Sequence, residues 1–432
     1  MSLEAGHGPQ RPRAATTEPA GGILARLGPG LITGAADDDP SGIATYSQAG
    51  AQFGYGMLWT MALTYPLMAA VQLVSARIGR VTGAGLAANL AAVLPRPAVL
   101  GLVALLFCAN TINIGANLAA MGAASHLALG GNGHVYTLAF AVASIGLQLF
   151  VPYRRYASYL KWLTFVLLAY VALLVVVHVD WKAALAGLLI PRIALDGDSL
   201  TMIVAIFGTT ISPYLLFWQS SQEVEELRQH RREQPLGAAP EQAPVQLGRI
   251  RLDTCVGMAV SNLVAIAIMI GTAATLHAKG QTHIASAADA AAALKPVAGN
   301  GAFALFCVGI VGTGLLSIPV LAGSSAYALG ECQGWKCGLE HKPWEAVPFY
   351  GIIVAATVVG IAVDFSPLDP MAALFWSAVV NGIVAVPVLA VMMWVAGRPD
   401  RMQDFTTPPV TRALGWAATL IMAAAAAAMA FL

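Results

Sequence analysis

The stretch that decides the fold runs from Gly28 to Gly50 and reads GPGLITGAADDDPSGIATYSQAG. Its centre carries three consecutive carboxylates, Asp37 to Asp39, followed by Pro40. An ionised carboxylate at mid-membrane costs roughly 2.5–3.5 kcal/mol even on the lenient insertion scale, and proline interrupts a helix because it lacks an N–H and clashes with the preceding turn. Unpaired backbone at membrane depth is tolerated only where it is buried in protein or lines a cavity. The stretch therefore predicts a broken helix with a cation site at its break.

A simpler interpretation ends the first span at Ala36 and treats DDDPSG as an aqueous loop. That interpretation places Leu31 too close to the start of the span for the chain to have crossed, because a crossing needs about 20 apolar residues. We therefore favour the broken helix.

The composition is that of a polytopic membrane protein. Of 432 residues, 58% are hydrophobic and 10% are charged, whereas soluble domains carry about 25% charged residues. The formal net charge of +1 argues against a nucleic-acid partner. Residues 1–22 contain arginine, proline and glycine but no apolar core of a signal peptide, so we expect a disordered cytoplasmic tail there.

Apolar runs long enough to cross a bilayer predict about eleven transmembrane helices. They lie near 28–50, 53–78, 98–124, 135–152, 157–178, 199–225, 251–276, 302–330, 345–363, 370–396 and 411–431. With the N-terminus inside, 19 of the 23 lysines and arginines fall in cytoplasmic segments, as the positive-inside rule requires. We therefore expect a bacterial inner (plasma) membrane protein with its N-terminus in the cytoplasm and its C-terminus outside.

The sixth span is interrupted as the first one is. Residues 201–226 read TMIVAIFGTTISPYLLFWQSSQEVEE, with Thr209, Ser212 and Pro213 in the middle. Two interrupted helices at corresponding positions of two halves indicate an inverted-repeat transporter with a midplane site. The predicted units are a first repeat at 23–178, a second repeat at 199–396 with a flexible cytoplasmic loop at 226–248, and an eleventh span at 411–431. The glutamates that end the sixth span are interpreted as a solvated face paired with Arg228.

At these two breaks the sequence resembles the Nramp family of divalent-metal transporters. The stretches that carry the resemblance are GPGLITGAADDDPSGIATYSQAGAQFGYGMLW at 28–59 and GTTISPYLLFWQSS at 208–221. The resemblance implies an all-α polytopic fold of the LeuT-like type, with a 5+5 inverted repeat, broken helices 1 and 6, and an appended eleventh span.

The departures from the family motifs, Asp-Pro-Gly-Asn and Met-Pro-His, are informative. Asp39 and Pro40 keep the pattern, whereas Gly42 stands in place of the metal-binding asparagine. Ser212 replaces the thioether methionine, and Tyr214 replaces the histidine. The acidic pair of span 3 is absent, and that region reads CANTINIGAN. This pattern is similar to the Nramp-related magnesium transporter branch.

The resemblance implies a metal site shared by the two breaks. Asp39 would supply charge, Thr209 and Ser212 would supply oxygen, and Ala36 would supply a backbone carbonyl. The predicted metal-site residues are Asp39, Ala36, Gly42, Thr209, Ser212, Asp38 and Asp37, with helix breaks at Pro40 and Pro213. Residues predicted to contact the water around the ion are Asn113, Asn117, Tyr214, Ser377 and Asn381.

Several of these residues keep a second interpretation. Asp37 or Asp38 could hold water or cap the broken helix instead of binding the ion. Ser212 could be a helix-packing residue, and Ser377 and Asn381 could form interhelical hydrogen bonds.

The chemistry of the predicted ligands favours a hard ion. Thioether sulfur suits softer transition metals, while carboxylate, carbonyl and water suit Mg²⁺ and Mn²⁺. Mg²⁺ gives up its waters reluctantly, so a roomy, oxygen-only site predicts a largely hydrated ion. Proton relays need ionisable side chains along a path, and beyond the aspartate run the span interiors offer none until their edges.

We therefore expect a secondary transporter of Mg²⁺, tolerating Mn²⁺, that works by alternating access without proton coupling. Its expected partners are divalent metal ions and the lipid bilayer, and neither a cofactor nor an enzymatic activity is expected. The nearest alternative is a proton-coupled Mn²⁺/Fe²⁺ importer of the ordinary Nramp type. A more distant alternative is an amino-acid or amine carrier on the same fold.

Overall fold

The computed structural model describes residues 33–34, 36–152, 155, 167–194, 196–230, 232–367 and 369–431. Twelve longer helices organise this part of the chain. They are α1 Pro40–Phe53, α2 Leu58–Thr82, α3 Arg96–Leu129, α4 Gly133–Phe150, α5 Leu168–Val176, α6 Gly197–Thr210, α7 Pro213–Gln229, α8 Ala243–Thr275, α9 Ala302–Gln333, α10 Val347–Gly360, α11 Pro370–Ala396 and α12 Pro409–Phe431. Short helices lie at Leu86–Ala91, Trp181–Leu189, Ala287–Ala292, Lys295–Ala298 and Pro399–Met402. The predicted all-α class is confirmed for the described residues.

Local sequence sets where many of these helices begin and end. Pro40, Pro213 and Pro370 open α1, α7 and α11. A proline fits there because the first turn of a helix leaves its N–H groups unpaired in any case. Gly83 and Gly334 close α2 and α9 in the left-handed conformation, at φ of 68° and 70°, which glycine adopts without steric cost.

Nine stretches of the described residues are long and apolar enough to cross a membrane. The predicted second span and residues 40–50 of the predicted first span fall within one of these stretches, Pro40–Thr82, because the 3₁₀ turn Gly54–Met57 joins α1 directly to α2. The predicted fifth span, 157–178, is described only from residue 167. The predicted tail at 1–22 and the start of the first span lie outside the described residues.

Two helical lines are broken where the prolines predict it. Helix α6 ends at Thr210, Ile211 leaves the helical conformation at φ −117° and ψ 55°, and α7 begins at Pro213. Residues 36–37 are helical, Asp38 forms a bend, and α1 begins at Pro40. The predicted pair of broken helices is therefore confirmed.

Helix α6 packs closely on α11 at two glycines. A side-chain carbon on Gly208 would overlap the carbonyl oxygen of Ala378 and the backbone of Gly382. A side-chain carbon on Gly382 would lie 2.6 Å from the carbonyl oxygen of Val204. The two backbones are therefore in contact beside the second break.

We expect Gly208→Ala to destabilise the protein by about 1–3 kcal/mol, the usual range for overpacking a tight interior. The midpoint temperature of unfolding (Tm) in detergent should fall. Gly101→Ala on α3 is the matched control, because a side-chain carbon there meets open space and alanine has the higher helix propensity. Equal Tm values for Gly208→Ala and wild type would contradict the tight contact.

The predicted loop at 226–248 is shorter in the structure. Helix α7 continues to Gln229, α8 begins at Ala243, and the connection between them packs on the end of α2. The Leu236 N–H donates to the carbonyl of Arg80 at 3.1 Å, and the Leu236 side chain is buried. Burial of Leu236 and the ion pair of Glu233 with Arg80 at 2.5 Å hold this mostly polar segment against α2.

The interpretation of the glutamates at the end of α7 as a solvated face is wrong for two of the three. Glu223 is fully buried and lies 2.6 Å from Nη2 of Arg249 on α8. Glu225 is buried and accepts hydrogen bonds from the Tyr327 hydroxyl and from the Leu339 N–H. This face of α7 contacts α8 and α9, so the carboxylates are paired inside the protein instead of hydrated.

Candidate metal site

The two breaks lie side by side. The Tyr214 hydroxyl, in the first turn of α7, donates to the carbonyl of Ala36 at 3.3 Å. A side-chain carbon on Gly42 would lie 3.2 Å from Oγ1 of Thr209. Side chains of the second break therefore lie against the backbone of the first.

Asp39 caps helix α1. Its Oδ1 accepts from the Gly42 N–H at 2.9 Å and from the Ser41 hydroxyl at 2.6 Å. Its Oδ2 accepts from the side-chain amides of Asn113 at 3.2 Å and Asn117 at 3.4 Å, both on α3. Four neutral donors thus satisfy the carboxylate.

Asp37 and Asp38 point to the other side of the backbone, toward α8. The Ser261 hydroxyl lies 2.7 Å from Oδ2 of Asp37 and 3.0 Å from Oδ1 of Asp38. The second oxygen of Asp37 is buried and has no hydrogen-bond partner among the residues that the structure describes. The interpretation in which Asp37 or Asp38 caps the helix is wrong, because Asp39 occupies the cap position.

At the second break, Ser212 already uses its proton. Its hydroxyl lies 2.8 Å from the carbonyl oxygen of Gly208 and 2.9 Å from that of Thr209, and its single proton is shared between them. These carbonyls have no intrahelical N–H partner because α6 ends here. Ser212 therefore supplies a hydrogen-bond donor at the break. Each carbonyl keeps a second lone pair, and the hydroxyl oxygen keeps its own, so these oxygens remain available to a cation or its water.

Polar side chains from α3, α9 and α11 extend the Asp39 side of the site. Asn113 accepts from the Ser377 hydroxyl at 3.1 Å, and Asn117 also donates to Ser317 at 3.2 Å. The side-chain oxygen of Asn117 is buried and has no hydrogen-bond partner in the described part of the chain. The same holds for both amide atoms of Asn381, one turn beyond Ser377. The structure thus brings Asn113, Asn117 and Ser377 together with Asp39. It places Asn381 on the neighbouring turn of α11.

The polar groups described at the junction are carboxylates, hydroxyls, carbonyls and amides. Few of their oxygen atoms can bind one ion directly. In the described part of the chain, no three His, Cys, Asp or Glu side chains converge as a set of metal ligands. An ion that prefers six oxygen ligands would therefore complete its shell with water.

The site is closed to bulk solvent in this conformation. Asp37, Asp38 and Asp39 are 1%, 5% and 1% exposed. A cavity of about 500 Å³ lies elsewhere, between the end of α3, the start of α4 and the α10–α11 connection. His134 at its edge pairs with Asp364 at 2.7 Å, and its lining includes none of the predicted metal-site residues.

Sequence reasoning missed two serines of the site. Ser41 follows Pro40 inside the quoted motif and binds the Asp39 cap. Ser261 lies in the seventh predicted span, where only the adjacent Asn262 is also polar in the run MAVSNLVAI. That polar pair is the one sequence signal that could have marked this face of α8.

The sequence matches the family described as "Natural resistance-associated macrophage protein-like" (Nramp) over residues 30–432. The divalent metal cation transporter MntH of Aeromonas hydrophila is 31% identical over 310 residues, covering 69% of this chain and 72% of that protein. MntH of Yersinia enterocolitica is 31% identical over 315 residues, covering 69% and 71%.

Solved structures share the fold at lower identity. The Eremococcus coleocola manganese transporter, in complex with an aromatic bis-isothiourea compound, superposes with a TM-score of 0.74 at 17% identity, covering 93% of this chain and 85% of that one. Mhp1, a nucleobase-cation-symport-1 family transporter, superposes in a closed conformation with a TM-score of 0.56 at 14% identity, covering 94% and 92%. These likenesses confirm the predicted LeuT-like fold.

Proposed function

The chain belongs to the Nramp family, and we propose that it transports divalent metal cations, preferring Mg²⁺ and accepting Mn²⁺. It is an integral membrane protein with nine described stretches able to span a bilayer. The observation that carries the proposal is the run of three buried carboxylates at the junction of two broken helices. The MntH relatives are named divalent metal cation transporters, which supports the same class of substrate.

Charge at the junction supports a cation. Among the described residues, no lysine, arginine or histidine forms an ion pair with Asp37, Asp38 or Asp39. Burying unpaired charge is costly unless a counter-charge or a metal compensates it. A bound divalent ion would supply that compensation at the break.

The preferred ion follows from the hardness of the oxygen ligands and from the small side chains at the site. The thioether of the usual family motif is replaced by Ser212, and the usual asparagine by Gly42, so soft ions lose their preferred ligand. With few direct ligands from the protein, a largely hydrated ion fits best. Its waters would be bound by the amides of Asn113, Asn117 and Asn381 and by the Ser377 hydroxyl.

The hydrogen bonds of Asp39 support uncoupled transport. Four neutral donors contact its carboxylate. A carboxylate that keeps these donors needs no proton at this residue for the carrier to return without its ion. The acidic pair that the family carries in span 3 is absent here, and that region carries amides instead. An amide does not release or bind a proton near neutral pH. We propose transport driven by the ion gradient and the membrane potential, with the orientation that the positive charges predict.

Uptake into proteoliposomes with an internal pH dye tests this proposal. We expect Mg²⁺ and Mn²⁺ to enter without acidification of the lumen, and Cd²⁺ to compete no better than Mn²⁺. Protein-free liposomes are the control for leakage. Metal-dependent acidification, or strong preference for Cd²⁺, would instead identify a proton-coupled importer of the ordinary type. Absence of any divalent uptake would overturn the proposed function itself.

A further inference from the structure

We infer that the broken first helix carries a second cation position, formed by Asp37, Asp38 and Ser261 and separate from the position at Asp39. It takes a divalent ion of about the size of Mg²⁺. The inference rests on the proposed function, because it gives the transported ion two positions on opposite sides of the same backbone.

The two positions differ in the helices that they face. Asp39 directs its carboxylate to the amides of Asn113 and Asn117 on α3. Asp37 and Asp38 direct theirs to Ser261 on α8. Since no side chain contacts both groups through these hydrogen bonds, an ion held on the α8 side has a different set of ligands from an ion held at Asp39.

On the α8 side, one hydroxyl proton faces two carboxylate oxygens. A serine hydroxyl has a single proton to donate, yet the Ser261 oxygen lies within 3.0 Å of oxygens from both carboxylates. When the proton points to Asp37, the contact with Asp38 brings together two oxygen atoms with no proton of serine between them. A cation beside the three oxygens would remove that repulsion.

A separate observation points to a ligand at the same place. Oδ1 of Asp37 is buried, accepts no hydrogen bond within the described part of the chain, and belongs to a side chain that is 1% exposed. A buried polar atom without a partner destabilises the folded protein, and it does so more strongly when the atom is charged. Asp37 therefore has an oxygen available for an ion, whereas all four contacts of Asp39 are already made.

The spacing fits an ion with short metal–oxygen distances. Octahedral Mg²⁺ binds oxygen at about 2.0–2.1 Å, so neighbouring ligand atoms lie about 2.9 Å apart. The Ser261 oxygen lies 2.7 Å from Asp37 and 3.0 Å from Asp38. Two carboxylates match the charge of one divalent ion, and water would supply the remaining ligands.

For transport, the inference means that the ion rests beside Asp37 and Asp38 and not at Asp39. In the closed conformation the α8 side offers two carboxylates, one oxygen of which has no hydrogen-bond partner among the described residues. The Asp39 carboxylate already accepts hydrogen bonds from the first turn of α1 and from two amides of α3. We expect the ion to bind on the α8 side in this conformation and to exchange with the Asp39 position during transport.

The test measures Mn²⁺ binding to the purified full-length protein by electron paramagnetic resonance, alongside Mn²⁺ uptake. Asp39→Asn should keep one bound Mn²⁺ while losing uptake. Adding Ser261→Ala to Asp39→Asn should weaken the remaining binding by about tenfold or more, the usual cost of losing one group at a metal site. Adding Asp37→Asn should weaken it at least as much.

Ser125→Ala in the same Asp39→Asn background is the matched control, because it removes a buried hydroxyl that contacts Cys307 and none of the aspartates. It should leave Mn²⁺ binding unchanged. Size-exclusion profiles identify variants that do not fold. If the variant with Asp37→Asn does not fold, Mn²⁺ binding by the variant with Ser261→Ala decides the test. The inference is overturned if Asp39→Asn binds no Mn²⁺, or if Ser261→Ala leaves its binding unchanged. Loss of divalent uptake in the wild type would instead overturn the proposed function, whatever the binding.

Discussion

Replacing Asp39 by alanine is expected to reduce divalent-cation uptake to the level of protein-free liposomes, while the protein still folds. The change removes the carboxylate that accepts from Asn113 and Asn117 on α3. It also removes the cap of α1, which costs about 0.5–2 kcal/mol. The packing of the surrounding helices should keep the variant folded despite that loss of stability. Uptake of Mg²⁺ and Mn²⁺, measured with a fluorescent reporter inside the liposomes, checks the result.

Ser41→Ala is the control that separates charge from local geometry. It removes a donor to Asp39 at 2.6 Å but leaves the carboxylate and the Gly42 N–H contact in place. We expect reduced but measurable uptake for this variant. Uptake by Asp39→Ala comparable to wild type would show that the carboxylate is not part of the ion path.

Replacing Arg249 by methionine is expected to destabilise the protein by about 3–5 kcal/mol, the usual cost of leaving one member of a buried ion pair uncompensated. Its partner Glu223 is fully buried, and the two atoms of the pair lie 2.6 Å apart. A fall in Tm, measured in detergent by the loss of monodisperse protein after heating, checks this expectation.

Two controls bracket that result. Lys336→Met breaks an ion pair with Glu345 whose side chains are 55% and 40% exposed, and exposed pairs contribute about 0–1 kcal/mol. The double change Glu223→Met with Arg249→Met removes both charges, and it should recover much of the lost stability because no charge is left buried alone. Equal Tm losses for Arg249→Met and Lys336→Met would refute the structural role of the buried pair.

The parts of the fold that the sequence predicted are those with a local physical cause. Pro40 and Pro213 each mark the first residue of a helix, and each helix starts there in the structure. The apolar runs predict the membrane helices because their length is fixed by the bilayer. Asp39 immediately before Pro40 also has the sequence of a helix cap, although its motif suggested a metal ligand first.

What the sequence did not predict depends on how helices rotate against each other. Ser261 contacts Asp37 across 224 positions of the chain, and no periodic pattern near Ser261 indicates which neighbour its helix face meets. The same applies to Glu223, whose burial follows from Arg249 on the adjacent helix. A run of glutamates near a span end is usually hydrated, and this one differs because Arg249 on α8 pairs with Glu223 and Tyr327 on α9 donates to Glu225.

The central claim is that a divalent ion is held at the junction of the two helix breaks. Anomalous X-ray diffraction from crystals of the full-length protein grown with Mn²⁺ tests it most directly. The account predicts a Mn²⁺ peak between residues 37–42 and 209–213, with an aspartate oxygen at about 2.1 Å or bridged to the ion by one water. A peak that lies neither there nor beside Asp37, Asp38 and Ser261, or no peak while Mn²⁺ uptake is intact, would contradict the account.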